Sequence, residues 1–330
     1  MRQLQPNVTA APAFLFQPQI ALRVRWNMNT DTPLPPDEPA GENPPDGAII
    51  DYHLGPSVSG PVTLEILDER KQVVRRYSSA DPLPASDPML AIPPYWLRPP
   101  QTLSSEPGMH RFLWDLQYAP VPGLSLSYPI AATYRNTAPN PTSPWVMPGK
   151  YTAVLTVNGA KYTQPLTLKM DPRVKATTAA LAEQFKLAKD LYDQWLMLAP
   201  ITISARLIMG QLADLRARAQ SADLKSHIDA VTEKLTNVAG ADARGPAAAA
   251  APGAKLTAAT ASARLRTLFE IIQDVDVAPT PQAAAAVTDL LTESRPLVES
   301  WRTILATDIP SLNHELQAAG LPDVNPETKK

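Results

Sequence analysis

The sequence predicts an α+β protein with more than one domain, in which an antiparallel β-sandwich is followed by an antiparallel α-helical bundle. Two distributions support this prediction. Residues 1–150 contain 26 of the 37 prolines, and residues 1–170 contain 15 of the 20 aromatic side chains. Because proline is excluded from helix interiors and central strands, the first half must consist of short strands and loops. The second half is rich in Ala, Leu, Gln and Glu, which favour helices.

The two halves meet near residue 173. Asp171-Pro172 ends the strand-like pattern, and Thr177 or Thr178 can cap the first helix. A chain of 330 residues has room for two or three domains. The predicted parts are an extended proline-rich arm with one strand at 1–48, a sandwich at 49–172 and a helical bundle at 173–330.

The arm contains one predicted strand, in which Ile20, Leu22, Val24 and Trp26 alternate with Ala and Arg. Such alternation predicts that the four large side chains face a core. After it, residues 29–47 hold too many prolines for regular structure. Nineteen residues without structure are uncommon inside a compact domain, so this segment is either disordered or held against another surface.

Residues 49–172 show the short alternating runs of an antiparallel sandwich. An alternating run at 62–67 is followed by turn formers at 68–71 and a second run, which predicts a hairpin. Asn158-Gly159 between two further runs predicts another hairpin.

Two proline-rich insertions, at about 80–107 and 119–148, interrupt these predicted strands. They carry Tyr95, Trp96 and Trp145, which we expect to be exposed. Proline restricts the unfolded chain, so such segments lose less entropy when they lie along a partner surface.

Residues 176–320 repeat apolar residues every three or four positions, as helices with one buried face do. One stripe runs from Leu181 to Leu198, and Pro200 is expected to kink or end that helix before a second stretch at 207–215. The next seam, which has the spacing of a bundle or coiled coil, comprises Leu224, Ile228, Val231, Leu235 and Val238.

A low-complexity linker of Ala, Gly and Pro follows at 239–255. Two more amphipathic helices are predicted at 256–275 and 282–307. A short final helix is expected to begin at Ser311 and to end at Gly320. Antiparallel helices around one apolar seam form a bundle.

Composition excludes several classes of function. Thirty Lys and Arg against 32 Asp and Glu leave a net charge of −2, which gives no basic surface for nucleic acid or anionic membranes. No apolar run approaches the roughly 20 residues of a membrane span, and the N-terminus lacks the pattern of a signal peptide. Four His and no Cys exclude thiolate metal sites, disulfides and cysteine nucleophiles. We therefore expect neither a nucleic-acid partner nor a membrane span.

No catalytic, cofactor-binding or metal-binding residue is predicted. His227 and His314 lack the acidic residue three positions earlier that bundle metal sites use, and both are expected to face solvent. The sequence has no Gly-x-Ser-x-Gly motif and no glycine-rich phosphate loop, and Ser104-Ser105 lies in a proline-rich stretch. His110 is expected to be a structural histidine on a strand that also carries Trp114.

An acidic, proline-rich loop at 31–51 could supply two carboxylates for glycoside hydrolysis, or the ligands of a calcium ion. Proline stands where calcium ligands would be needed, which favours a docking loop. The acidic residues of this loop are Asp31, Asp37, Glu38, Glu42, Asp46 and Asp51.

Four stretches of the chain, taken in order, resemble a known family. They are GENPPDGAIIDYHL, VTLEILDERKQVVRRY, GMHRFLWDLQY and MPGKYTAVLTVNGAKYTQPLTLKMDPR. Their G-x-H-x-F-x-W-D and P-G-x-Y-x-A-x-L-x-V elements resemble the immunoglobulin-like domain of flagellar hook-capping proteins. Together with a helical tail that ends near LNHELQAAGLPDV, they resemble the C-terminal part of large bacterial BNR-repeat or sortilin-like β-propeller proteins. Those proteins are often labelled glycosyl hydrolases or sialidase-like exported proteins.

The resemblance implies an immunoglobulin-like sandwich and a secreted or periplasmic parent protein. It also implies a preceding β-propeller marked by S-x-D-x-G-x-x-W repeats, and this sequence contains none of them. The chain would then be the C-terminal piece of such a protein or a separate partner subunit, without the module on which a hydrolase label rests.

Three functional hypotheses follow. The first is a non-catalytic accessory module that docks onto a β-propeller in cis or in trans, with a carbohydrate or protein ligand. The alternative is a sialidase-like glycoside hydrolase, in which Asp31, Asp37 or Glu42 completes a site on the propeller. The third is a coiled coil between chains, formed by the seam at 224–238.

Overall fold

The fold is taken from a computed structural model, and the protein is α+β, with strands in the first part of the chain and helices in the second. The residues that the structure describes are 3–25, 39, 45–83, 90, 92–122, 126–128, 134–240 and 255–326.

The chain divides into two compact units. One comprises residues 1–120 and 124–177, and we call it the β unit. The other comprises residues 178–330 with 121–123, and we call it the helical unit.

The strands of the β unit form two sheets. One has the order β1-β3-β6, and the other has the order β2-β8-β7-β4-β5. Every pairing is antiparallel except that of β2 with β8, which is parallel. The strands are β1 (Ala13–Leu15), β2 (Ala21–Arg23), β3 (Ala48–Leu54), β4 (Thr63–Leu67), β5 (Val73–Ser78), β6 (Gly108–Trp114), β7 (Gly149–Val157) and β8 (Ala160–Met170).

Both sheets bury side chains in one apolar core. Ile50 and Trp114 from the first sheet and Ile66 from the second are fully buried in it. The Trp114 ring meets the edge of the Tyr151 ring, with 5.4 Å between centroids, so an aromatic contact joins β6 to β7. A buried Trp of this kind stabilises a core by about 3–5 kcal/mol relative to Ala.

Both predicted hairpins are confirmed. β4 pairs with β5, and Asp68 stabilises their turn because its Oδ1 accepts hydrogen bonds from the backbone N–H groups of Arg70 and Gln72, at 2.9 and 2.8 Å. β7 pairs with β8, and Asn158 and Gly159 have φ values of +48° and +79°. A two-residue turn between strands requires this left-handed backbone, which Asn and Gly adopt at low cost.

The N-terminal arm differs from its prediction. Residues 3–25 contain a short helix, α1 (Pro6–Ala10), and two strands rather than one. The predicted facing of β2 is wrong: Ala21 and Arg23 are 7% and 2% exposed, whereas Ile20 and Leu22 are 57% and 44% exposed.

A hydrogen bond explains the reversed facing of β2. Arg23 Nη1 donates to the carbonyl oxygen of Val146 at 3.0 Å, within the buried part of the unit. A buried guanidinium is tolerated when carbonyl acceptors surround it, because its aliphatic stem adds apolar contacts. Trp26 and most of the 29–47 segment lie outside the described residues.

The helical unit is built from four long stretches of helix. Ser221, Thr257 and Thr280 cap α3, α4 and α5, each by accepting hydrogen bonds from backbone N–H groups of the first turn. The helices are α2 (Thr178–Arg218), α3 (Ala222–Ala239), α4 (Ala258–Gln273), α5 (Pro281–Thr303), a π-helical turn (Ile304–Asp308) and α6 (Ile309–Ala318).

The core of the helical unit lies where α2 contacts α3, α4 and α5. Trp195 of α2 and Phe269 of α4 are buried there, with 6.2 Å between ring centroids. The predicted seam at 224–238 is buried within the same unit. A seam already covered by helices of its own chain is not free to pair between chains, so the coiled-coil hypothesis is wrong. The predicted linker lies outside the described residues from 241 to 254.

Of the two outcomes expected at Pro200, a kink or an end of the helix, the second is wrong, because α2 continues through this residue. Proline removes one backbone hydrogen bond, but its fixed φ is itself helical. Pro200 is exposed, whereas Leu198 and Ile201 on either side are buried. Tertiary packing of the buried stripe therefore keeps the helix continuous.

The last predicted helix also begins elsewhere. α5, the π-helical turn and α6 form an uninterrupted helical stretch, so Ser311 lies inside α6 and does not cap it. Pro310 is the second residue after the π-helical turn, and a proline ring collides with the carbonyl of the preceding helical turn. A π-helical turn widens the backbone at that point and relieves the collision.

Among the described helices, α2 is long and apolar enough to cross a membrane. An 18-residue window of it has a mean hydropathy of 1.5, and 28% of that window is buried. Arg206 is the one charged residue at 194–213, so this run is more apolar than the sequence analysis expected. A core helix of a water-soluble protein passes the same test, and the absence of a membrane span stays a prediction.

Candidate interaction surface

The two proline-rich insertions of the β unit are held together by backbone hydrogen bonds. The N–H of Arg135 donates to the carbonyl of Tyr95 at 3.0 Å, and the N–H of Thr137 donates to that of Trp96 at 2.9 Å. The N–H of Arg98 returns a bond to the carbonyl of Thr137 at 3.0 Å. Two segments that are far apart in sequence therefore form one rigid frame.

Arg98 ties this frame to a third segment. Its Nε donates to Asn136 Oδ1 at 2.9 Å, and its Nη2 donates to Asp46 Oδ2 at 2.7 Å. The Arg98 and Asp46 side chains are 23% and 30% exposed, so solvent screens this ion pair only in part. The pair holds the end of the acidic loop against the two insertions.

Gly47 fixes the position of Asp46. A Cβ at Gly47 would lie 2.2 Å from the carbonyl oxygen of Trp114, and its φ of +105° is unfavourable for other residues. The backbone can therefore pass close to the end of β6 only at a glycine, and Asp46 is placed beside Arg98 as a result.

Two large aromatic side chains project from the frame into solvent. Tyr95 is 59% exposed and Tyr134 is 60% exposed. Trp96, which we expected to be exposed, is half-buried next to Tyr95, with 6.0 Å between ring centroids in an edge-on arrangement. The expectation that Trp145 is exposed is wrong, since it is 3% exposed and Arg25 lies over its ring.

Arg135 directly follows Tyr134 in the chain and has an unusual backbone. Its φ of +51° lies in the left-handed region, which costs a non-glycine residue about 1–2 kcal/mol. Arg135 is exposed, and no described residue forms an ion pair with it. We call Tyr95, Trp96, Arg98, Tyr134, Arg135 and Asn136, together with Asp46, the aromatic surface.

A half-buried polar cluster, which comprises Asp115, Arg75 and Tyr77, lies close to the aromatic surface. Desolvation by burial raises the pKa of Asp115 above its usual range, while the charges of Arg75 and Arg98 oppose that increase. Burial and the Asp115 charge both raise the pKa of Tyr77, whose ring lies 4.8 Å from the Arg75 guanidinium. Since charge balance and packing account for each member, we interpret the cluster as structural.

The acidic loop is described only at its C-terminal end. Asp46 pairs with Arg98, and Asp51 accepts two hydrogen bonds from Arg111, at 2.8 and 2.9 Å. Asp31, Asp37, Glu38 and Glu42 lie outside the described residues. Both described carboxylates are thus bound to arginines across the chain.

The other candidate residues have structural partners. Tyr52 exchanges hydrogen bonds with the backbone of Ser104, at 2.8 and 2.9 Å, and burial raises the pKa of Tyr52 to about 12. His110 Nε2 lies 2.6 Å from the carbonyl of Glu106. Within the described ranges, no group of three or more His, Asp or Glu is placed to hold a metal ion.

The expectation that His227 faces solvent is wrong. It is half-buried, and its Nδ1 lies 3.0 Å from Glu315 Oε1, so it joins α3 to α6. His314 is exposed, as expected.

Sequence reasoning identified part of the aromatic surface. Tyr95 and Trp96 were singled out as aromatics in a proline-rich insertion, whereas Tyr134, Arg135 and Asn136 were not. The signal for them was available, because an aromatic, a cation and an amide stand in sequence within the second insertion.

Comparison with protein-family models, with curated protein sequences and with solved structures finds no match to this chain.

Proposed function

We propose that the chain is a non-catalytic interaction module that consists of an immunoglobulin-like sandwich, which carries the aromatic surface, and an antiparallel helical bundle. The parent would be an exported BNR-repeat or sortilin-like β-propeller protein, and the propeller would be the partner in cis or in trans. The observation that carries this proposal is the exposure of Tyr95 and Tyr134 on a rigid frame.

The composition of the aromatic surface favours binding to a protein. Tyr, Trp and Arg are the residues that contribute most to the energy of protein interfaces. Tyr95 and Tyr134 are presented by backbone that is already hydrogen-bonded, so little further ordering is needed on binding. Large exposed aromatics without such a role lower solubility.

The parentage is tested by the mass of the native protein. An antibody against residues 178–218 is used for an immunoblot of source cells, and the band is sequenced by mass spectrometry. A band well above 35.7 kDa whose additional peptides form a propeller is expected for a module in cis. The same antibody is also used to precipitate the native chain with its partners. A band at 35.7 kDa, together with an immunoprecipitate that contains no propeller protein, would contradict the proposal.

The glycoside hydrolase alternative has weaker support. Asp46 and Asp51, the described carboxylates of the acidic loop, are each held by an arginine. Hydrolysis of aryl glycosides or sialosides by the purified chain, abolished by Asp37→Asn, would favour the alternative over the interaction module. We expect no hydrolysis by the purified chain or by its Asp37→Asn variant.

A further inference from the structure

We propose that Tyr95, Tyr134 and Arg135 bind an acidic, proline-rich segment of a partner protein. The inference rests on the proposed function and names the chemistry that the aromatic surface recognises. Three features of the described residues support it: the two exposed tyrosines, the exposed cation and the ion pair of Arg98 with Asp46, an acid that follows a proline.

The aromatic pair suits proline. Tyr95 and Tyr134 expose their rings from adjacent backbone segments, since the Arg135 N–H bonds to the Tyr95 carbonyl. Proline-rich segments adopt an extended helix without internal hydrogen bonds and dock on exposed aromatic side chains. Because that helix is largely preformed, its binding costs little conformational entropy.

The cations of the surface suit a carboxylate. Pro45-Asp46 already lies there, with the Asp46 carboxylate 2.7 Å from Arg98 Nη2. One arginine of the surface is therefore neutralised by an acid that follows a proline. Arg135 is the second arginine, is exposed, and has no ion-pair partner among the residues described.

The backbone of Arg135 provides a further argument. A left-handed φ of +51° is unfavourable for Arg, and Arg98 and Thr137 hold the turn in place through the frame. Strained residues persist where surrounding structure fixes them, and they are frequent at binding sites. The strained backbone fixes an exposed cation beside Tyr134 and next to the backbone of Tyr95, where it can bind a carboxylate next to prolines.

The test measures binding of a labelled peptide by fluorescence anisotropy. The probe is Asp-Thr-Pro-Leu-Pro-Pro-Asp-Glu-Pro-Ala, whose sequence is that of residues 31–40. We expect saturable binding that weakens about fivefold or more in Tyr95→Ala, Tyr134→Ala and Arg135→Glu. The matched control is Arg70→Glu, which changes an exposed cation in the β4–β5 turn and should bind like the parent chain.

Two peptide variants separate charge from packing. Replacing Asp by Asn and Glu by Gln in the peptide should weaken binding to the parent chain and strengthen binding to Arg135→Glu, because the neutral peptide is no longer repelled by the introduced carboxylate. A peptide with Lys at the acidic positions should bind Arg135→Glu more tightly than the parent chain. Circular dichroism of each variant is recorded to check that it is folded, so that a loss of binding is not caused by unfolding.

The proposal is overturned if the peptide shows no saturable binding, or if all variants bind it equally. A chain lacking residues 31–40 is the control for competition in cis. If that chain binds the peptide much more tightly than the parent chain does, the surface is occupied by the protein's own segment. This result would also overturn the proposal that the segment belongs to a partner protein. If the peptide fails while the native mass reveals a propeller, the interaction module stands and this surface is not its contact.

Discussion

Gly47 is the residue on which the geometry of the aromatic surface depends most. It allows the chain to pass the carbonyl of Trp114 and so brings Asp46 to Arg98. Arg98 in turn bonds Asn136 and holds the second insertion against the first. A single backbone approach thus determines whether three distant segments meet.

Gly47→Ala should therefore destabilise the β unit by about 1–3 kcal/mol, because a Cβ would collide with the Trp114 carbonyl in a backbone that disfavours Ala. Urea denaturation followed by tryptophan fluorescence measures the change. The matched control is Gly60→Ala, where φ is also positive at +75° but nothing lies within 4 Å of the added Cβ. Equal losses in the two variants would contradict a role for the contact with Trp114.

Asp115 is expected to make stability depend on pH. Desolvation raises its folded-state pKa above the ordinary value of 3.8, so the native state binds more protons than the unfolded state just above that pH. The contribution of Asp115 is greatest below the ordinary value and is lost as pH rises through the raised pKa.

Asp115→Asn removes this dependence, because an amide does not titrate. The free energy of unfolding of the parent chain should fall relative to that of the variant as pH increases from 3 towards 7, by about 1.4 kcal/mol for each unit by which the pKa is raised. Paired urea titrations at several pH values measure the difference. A difference that stays constant over this range would show that the Asp115 pKa is not raised.

At the scale of elements, the helices of this protein tolerate proline where packing outweighs local preference. α2 contains Pro200 and α5 contains Pro296, although each removes a backbone hydrogen bond. Pro281 differs, since it stands in the first turn of α5, where its missing N–H would have had no partner. The same residue type is thus unfavourable at one position and neutral at another.

Pro200→Ala should stabilise the helical unit by about 1–3 kcal/mol, because an interior proline disfavours a helix by roughly 3 kcal/mol relative to Ala. The helical signal at 222 nm during urea denaturation measures this. Pro281→Ala serves as the matched control and should change stability by less than about 0.5 kcal/mol. No gain from Pro200→Ala would mean that the helix has adapted to the proline through a local distortion.

At the scale of the whole molecule, each unit has its own core. In the helical unit, the end of α3 and the start of α4 lie close together. Lys255 Nζ is 3.2 Å from Asn237 Oδ1, and a Cβ at Gly240 would lie 2.7 Å from Thr257 Oγ1. Residues 241–254 therefore join two ends that already meet.

Replacement of residues 241–254 by a Gly-Ser linker of about four residues should leave the helical unit folded. The shorter loop should increase the free energy of unfolding by about 1 kcal/mol, since loop closure costs less entropy. Circular dichroism and urea denaturation check both statements. A loss of helical signal would show that the replaced residues contribute contacts to the unit.

The local parts of the fold were predictable from the sequence. Alternation at Leu64 and Ile66 and the turn at Asn158-Gly159 depend on neighbouring residues, and both hairpins were predicted correctly. The facing of Ile20 and Leu22 was predicted wrongly, because it depends on a hydrogen bond between Arg23 and the distant Val146. Local pattern does not contain that contact.

The sequence by itself determined the division into strands and helices, the hairpin turns and the exclusion of cysteine chemistry. These follow from residue types and from the spacing of apolar residues, which is two positions in strands and three or four in helices. Such spacing involves only residues that are near one another in the chain. Only the tertiary structure decided that Tyr95, Tyr134, Arg98 and Asp46 share one surface. Arg98 contacts Asn136 and Asp46, which are 38 and 52 residues away from it in the chain. Contacts between such distant residues form when two sheets close over one core.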